Sequence, residues 1–145
     1  MKTKALLSVL LLVPLLLTGC VSRNTTQNIQ ITNQHKGLTT SNDAPTFAAT
    51  GKPVVYWVEA ARKHVSLTAY GSSSCPPVPI KIQVVSPTKV NLIMKSYVGA
   101  CAADSKPYTT AFLLPDQVSK EDTLLFILKT KGAPDLKAML NNSFG

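Results

Sequence analysis

From Lys52 onward, apolar and polar residues alternate in short blocks, and the blocks are separated by turn residues. Pro53-Val54-Val55-Tyr56-Trp57-Val58 is dense in β-branched and aromatic side chains. In His64 to Tyr70, Val65, Leu67 and Ala69 fall on one face and His64, Ser66, Thr68 and Tyr70 on the other. Ile80, Ile82 and Val84 alternate with Lys81 and Gln83, and Val90, Leu92 and Met94 with Asn91, Ile93 and Lys95. Thr109 to Leu114 and Thr123 to Lys129 add two more apolar runs. A period of two is the signature of a half-buried strand. The pattern predicts an all-β fold, a small antiparallel sandwich or barrel of about six strands. Ala133 to Leu140 has Pro134 near its start and Leu136, Met139 and Leu140 at helical spacing, which predicts a short closing helix.

The two segments before Lys52 read differently. Residues 21–51 are rich in Asn, Thr, Gln and Ser, with only the brief alternation of Ile29 and Ile31. A flexible tether is expected there, with an end-to-end distance on the order of 30 Å; an added edge strand is the other reading. The chain starts with Lys2 and Lys4, then the apolar run Ala5 to Leu17, interrupted by Pro14. About thirteen residues is the length of a signal h-region and short of the ~20 that a spanning helix needs. Leu17-Thr18-Gly19-Cys20 closes the run. This layout resembles the lipobox of bacterial lipoproteins. The resemblance implies a signal peptide over 1–19, cleavage after Gly19 and a diacylglyceryl group on the Cys20 sulfur. The organisation expected is then signal 1–19, lipidated tether 20–51 and β domain 52–145, on the outer face of the cell membrane. In a diderm cell the outer membrane is expected, since Val21 is not the aspartate associated with inner-membrane retention.

The cysteine count fits export. With Cys20 carrying lipid, Cys75 and Cys101 remain as an even pair in an oxidising compartment, and a structural disulfide is expected. The formal charge is +8 for the chain and +6 once Lys2 and Lys4 are removed. Scattered lysines, two arginines and the absence of a binding motif argue against nucleic acid as a partner. Attraction to anionic lipid or an anionic wall polymer, or simple solubility, accounts for the excess charge.

Candidate chemistry is sparse. Gly71-Ser72-Ser73-Ser74-Cys75-Pro76-Pro77 is the most distinctive loop, and Cys101-Ala102-Ala103-Asp104 looks like its counterpart, with an Asx turn at Asp104. Gly71, Ser72, Ser73, Ser74 and Asp104 form the candidate binding loop, able to offer N–H groups and hydroxyls to an anion or sugar; the alternative is a connector that positions Cys75. A hydrolase would need His64, a loop serine and Asp104 in mutual reach, but no Gly-x-Ser-x-Gly elbow is present. His35 and His64 have no ligand partner at metal-binding spacing. Tyr56, Trp57 and Tyr70 suggest an aromatic platform, weakened because Tyr56 and Trp57 face opposite sides of a strand. The expectation is therefore a non-enzymatic protein without metal or cofactor. It would be a surface binding or interaction module whose partner is a wall polymer or envelope protein; a structural envelope component is the alternative.

A second resemblance rests on Gly71-Ser72-Ser73-Ser74-Cys75-Pro76, Cys101-Ala102-Ala103-Asp104 and Tyr108-Thr109-Thr110. Together they are similar to small exported domains of high-GC Gram-positive bacteria. The likeness covers roughly Val54 to Lys129 and implies a single-membrane envelope, with no activity and no catalytic residues attached.

Overall fold

The computed structural model describes residues 24–36, 51–58, 61–121 and 123–141. The expected signal peptide and Cys20 lie outside them. The described chain is all strand: β1 (Thr25–Asn28), β2 (Ile31–Lys36), β3 (Val54–Trp57), β4 (His64–Gly71), β5 (Pro79–Ser86), β6 (Lys89–Met94), β7 (Lys106–Leu113), β8 (Leu125–Lys129) and β9 (Leu136–Asn141). All six strands expected from the alternation are present, as β3 to β8.

The strands make one curled, half-barrel sheet in the order β1-β5-β6-β8-β9-β3-β4-β7-β2. Its concave side holds the core, including Trp57, Leu67, Ile82, Leu92, Phe112 and Phe126. Val65, Leu67 and Ala69 point into it, as do Val90, Leu92 and Met94, as their spacing requires. Ile80 departs from its expected face. The β5–β6 register shifts between Pro79 and Lys81, so Ile82 and Val84 stay buried while Ile80 turns to solvent.

Three expectations are corrected. The sheet is mixed rather than purely antiparallel, because β6 pairs with β8 and β3 with β9 in parallel. The expected C-terminal helix is a strand, β9, lying between β8 and β3. The β8 edge offers it a row of backbone partners along Leu136–Met139 and the β3 edge adds partners at Leu140 and Asn141, which an eight-residue helix with costly nucleation cannot match. From Lys137 to Leu140 its burial has period two, with Ala138 and Leu140 inside and Lys137 and Met139 outside, while Leu136 at its start is exposed. Finally, part of the expected tether belongs to the sheet. β1 pairs with β5 and β2 with β7, so the edge-strand reading applies, and it applies twice.

β1 and β2 are also the two ends of the sheet, joined only by Ile29 and Gln30. The Ile29 N–H donates to the Ile80 carbonyl at 3.1 Å, and the Leu113 N–H donates to the Gln30 carbonyl at 3.2 Å. One bent run of chain thus caps both edges, with Ile29 packed against the core.

Candidate functional site

Two loops meet at one end of the β5–β6 hairpin. Cys75 and Cys101 form the expected disulfide, with Cα atoms 5.7 Å apart. The Ser73 N–H donates to the Asp104 carboxylate at 2.8 Å, and the Ser72 hydroxyl lies 3.4 Å from the same oxygen. In return, the Ala102 N–H donates to the Ser74 hydroxyl at 2.8 Å. The candidate loop residues and Asp104 are therefore brought together, as a clasp. The Asp104 carboxyl is held below the ordinary carboxylate range, chiefly by the Ser73 N–H and further by Ser72 and Lys106. Two N–H groups that could have faced an anion, those of Ser73 and Ala102, are bonded within the clasp. Gly71 is required at its place, because a Cβ there would lie 2.6 Å from Pro77 Cδ.

His64 is not part of this cluster. It begins β4 and Gly71 ends it, so seven steps of about 3.3 Å separate them by roughly 23 Å. Histidine, loop serine and Asp104 do not converge. Tyr56 and Trp57 are both buried, Trp57 in the main core and Tyr56 beside Val54, which leaves no exposed platform there. Among the described residues no group of three or more His, Cys, Asp or Glu is placed to hold a metal ion.

Beside the clasp lies a groove of about 310 Å³ whose walls include Tyr70, Pro76, Pro77, Lys95, Tyr97 and Lys131. The Lys95 N–H donates to the Val78 carbonyl at 2.7 Å, extending the β5–β6 ladder into the groove wall. The Tyr97 hydroxyl donates to the Pro76 carbonyl at 2.9 Å, which fixes the ring. Burial raises the Tyr97 pKa, with Tyr108 adding to it, so the hydroxyl stays a donor at neutral pH. The Lys95 ammonium sits 5.0 Å from the centre of the Tyr97 ring. Flat apolar surfaces and exposed cations are thus presented side by side on a covalently pinned frame. Lys95, Tyr97 and Lys131 are absent from the sequence candidates because Lys95 reads as a polar position of a strand, and Tyr97 and Lys131 follow strands without a motif of their own. Only pairing of β6 with β8 brings position 131 beside position 95. The one local signal is a lysine and a tyrosine two apart, immediately after a clear strand.

A larger groove, of about 650 Å³, runs along the β1–β2 corner between Gln27–Gln30 and Leu113–Gln117. Its lining is amide and aliphatic, with Lys63 and Asp116, and it has no aromatic ring. The smaller groove offers the denser recognition chemistry. Comparison with protein-family models, curated proteins and solved structures gives no match.

Proposed function

We propose that this protein is a lipid-anchored extracytoplasmic binding module, and that the groove beside the Cys75–Cys101 clasp is its binding site. It acts by binding, without a catalytic set or cofactor. The observation that carries the reading is where the groove lies relative to the entry of the chain. Thr25 pairs with Val84, near the Ser86–Lys89 turn, whereas the groove lies past the opposite end of the hairpin, where Pro79 pairs with Met94. Five steps of about 3.3 Å along β5 separate the two levels by roughly 17 Å. Only four residues lie between Cys20 and Thr25. At no more than about 3.5 Å per step, acylation of Cys20 would hold β1 within about 18 Å of the membrane surface. The Ser86–Lys89 turn would then face the lipid and the groove would face outward, toward a wall polymer or an envelope protein.

Two measurements test this. Labelling with a palmitate analogue is expected to be lost in Cys20→Ala, and label that survives the change would overturn the anchoring. A photo-crosslinking residue at Ser96, in the groove wall, is expected to give a discrete adduct in intact cells, and one at Thr88 none. Regular protein ladders from both positions would instead make the protein a structural envelope component.

A further inference from the structure

We propose that the groove takes an anionic polysaccharide, a chain of sugar rings bearing acid groups. This deepens the binding reading and rests on it. The lining divides into two chemistries. Tyr70, Tyr97 and Pro77 offer flat apolar surfaces, and the C–H face of a pyranose stacks against such rings. Lys95 and Lys131 supply exposed positive charge in the same groove, with exposed Lys106 near the clasp. The acids at this end are already engaged. Asp104 accepts from Ser73 and Ser72, and Asp135 pairs with Lys129 at 3.5 Å.

The Lys95 ammonium lies over the Tyr97 ring, 5.0 Å from its centre, so the acid group of a bound sugar would draw the ammonium to itself while the sugar ring takes its place on the aromatic face. A neutral glycan would leave the lysines unmatched, and a bare polyanion would leave the rings uncovered. The frame is set before any ligand arrives, by the disulfide, by the Tyr97–Pro76 bond and by the Lys95–Val78 bond. Little ordering is then required on binding. The ligand also lies where an envelope polymer would be met, on the side of the domain away from the entry of the N-terminal chain.

The test is titration of the acylated mature protein, held in neutral detergent micelles, with four probes. Oligogalacturonate carries both ring and charge, maltoheptaose rings alone, polyphosphate charge alone, and poly-glutamate charge on a peptide. Oligogalacturonate is expected to bind at least about tenfold more tightly than the other three, with an affinity that falls as salt rises. The Lys95→Gln/Lys131→Gln double variant is expected to lose about thirtyfold and most of the salt dependence. Tyr97→Ala is expected to lose about tenfold, and Tyr97→Phe, which keeps the ring but loses the bond that fixes it, about threefold. Lys63→Gln, in the larger groove, is expected to leave binding unchanged. Equal binding of maltoheptaose, polyphosphate or poly-glutamate would overturn the proposal, as would unchanged binding by the groove variants. If no probe binds while Ser96 still yields a discrete cellular adduct, the polysaccharide falls and the binding reading stands. If neither is seen, both fall.

Discussion

Thr110 is buried on the core side of β7, opposite Leu67, and its hydroxyl has no hydrogen-bond partner. Its neighbour Thr109 faces the other way, where its hydroxyl meets that of Thr68 at 2.9 Å. The two threonines look alike in sequence, yet their substitution has different consequences. Thr110→Val keeps the shape and removes an unpaired polar group, so it is expected to stabilise the fold by about 1 kcal/mol. Thermal melting should rise by about 4 °C; an unchanged or lower midpoint would contradict the assignment. Asp104 provides the second test at this scale. Its pKa is lowered in the folded state, so its contribution is full above the ordinary carboxylate value of about 4. That contribution is lost as pH falls through the lower folded value. Amide exchange at Ser73, normalised to intrinsic rates, should be slower in the wild type than in Asp104→Asn at about pH 6. The two should converge at about pH 2. Equal rates at both pH values would remove the Ser73–Asp104 bond from the account.

The disulfide and the edge strands act at the scale of elements. Cys75 and Cys101 are separated by 26 positions, and linking them removes loop entropy from the unfolded chain. The chain-entropy model gives about 3 kcal/mol for a loop of this size. Cys75→Ala/Cys101→Ala is therefore expected to melt well below the parent, measured by urea titration, and to release the Ser72–Ser74 clasp. A loss well below about 1 kcal/mol would assign the constraint to the hydrogen bonds alone. The pairing was legible in the sequence, because two cysteines remain once Cys20 is set aside. The bonding of Ser72 and Ser73 to Asp104 was only half legible: an Asx turn explains an aspartate in a loop locally, but Ser73 lies 31 positions away. In β9, the helical spacing of Leu136, Met139 and Leu140 was real, but a six-residue segment takes the conformation that its neighbours' unpaired edges demand.

The curled sheet has its two edges on consecutive strands, so a single polar segment completes the whole molecule. β1 covers β5 and β2 covers β7, while Ile29 packs against the core between them. Deleting residues 25–36 would bare two full-length edges at once, and such edges seed pairing with other chains. The deleted chain is expected to melt at lower temperature and to aggregate, followed by light scattering during a thermal ramp. A soluble protein with an unchanged midpoint would show that the edges stand without their cover. The same deletion would remove β1, to which the four-residue link from Cys20 attaches, and leave β3 as the first strand after it.

The sequence alone determined the class of the fold, the six strands β3 to β8, the buried faces of β4 and β6, and the pairing of Cys75 with Cys101. It could do so because alternation and cysteine count are local or additive properties of the chain. Tertiary structure decided the rest. The polar residues Thr25–Asn28 become strand because β5 has an unpaired edge, not because they are hydrophobic. The C-terminal segment becomes strand because two edges flank its slot. The groove of Tyr70, Lys95, Tyr97 and Lys131 exists only because strands far apart in sequence end at one place. No local pattern encodes that meeting, since each of these side chains, taken alone, is an ordinary loop or strand-end residue.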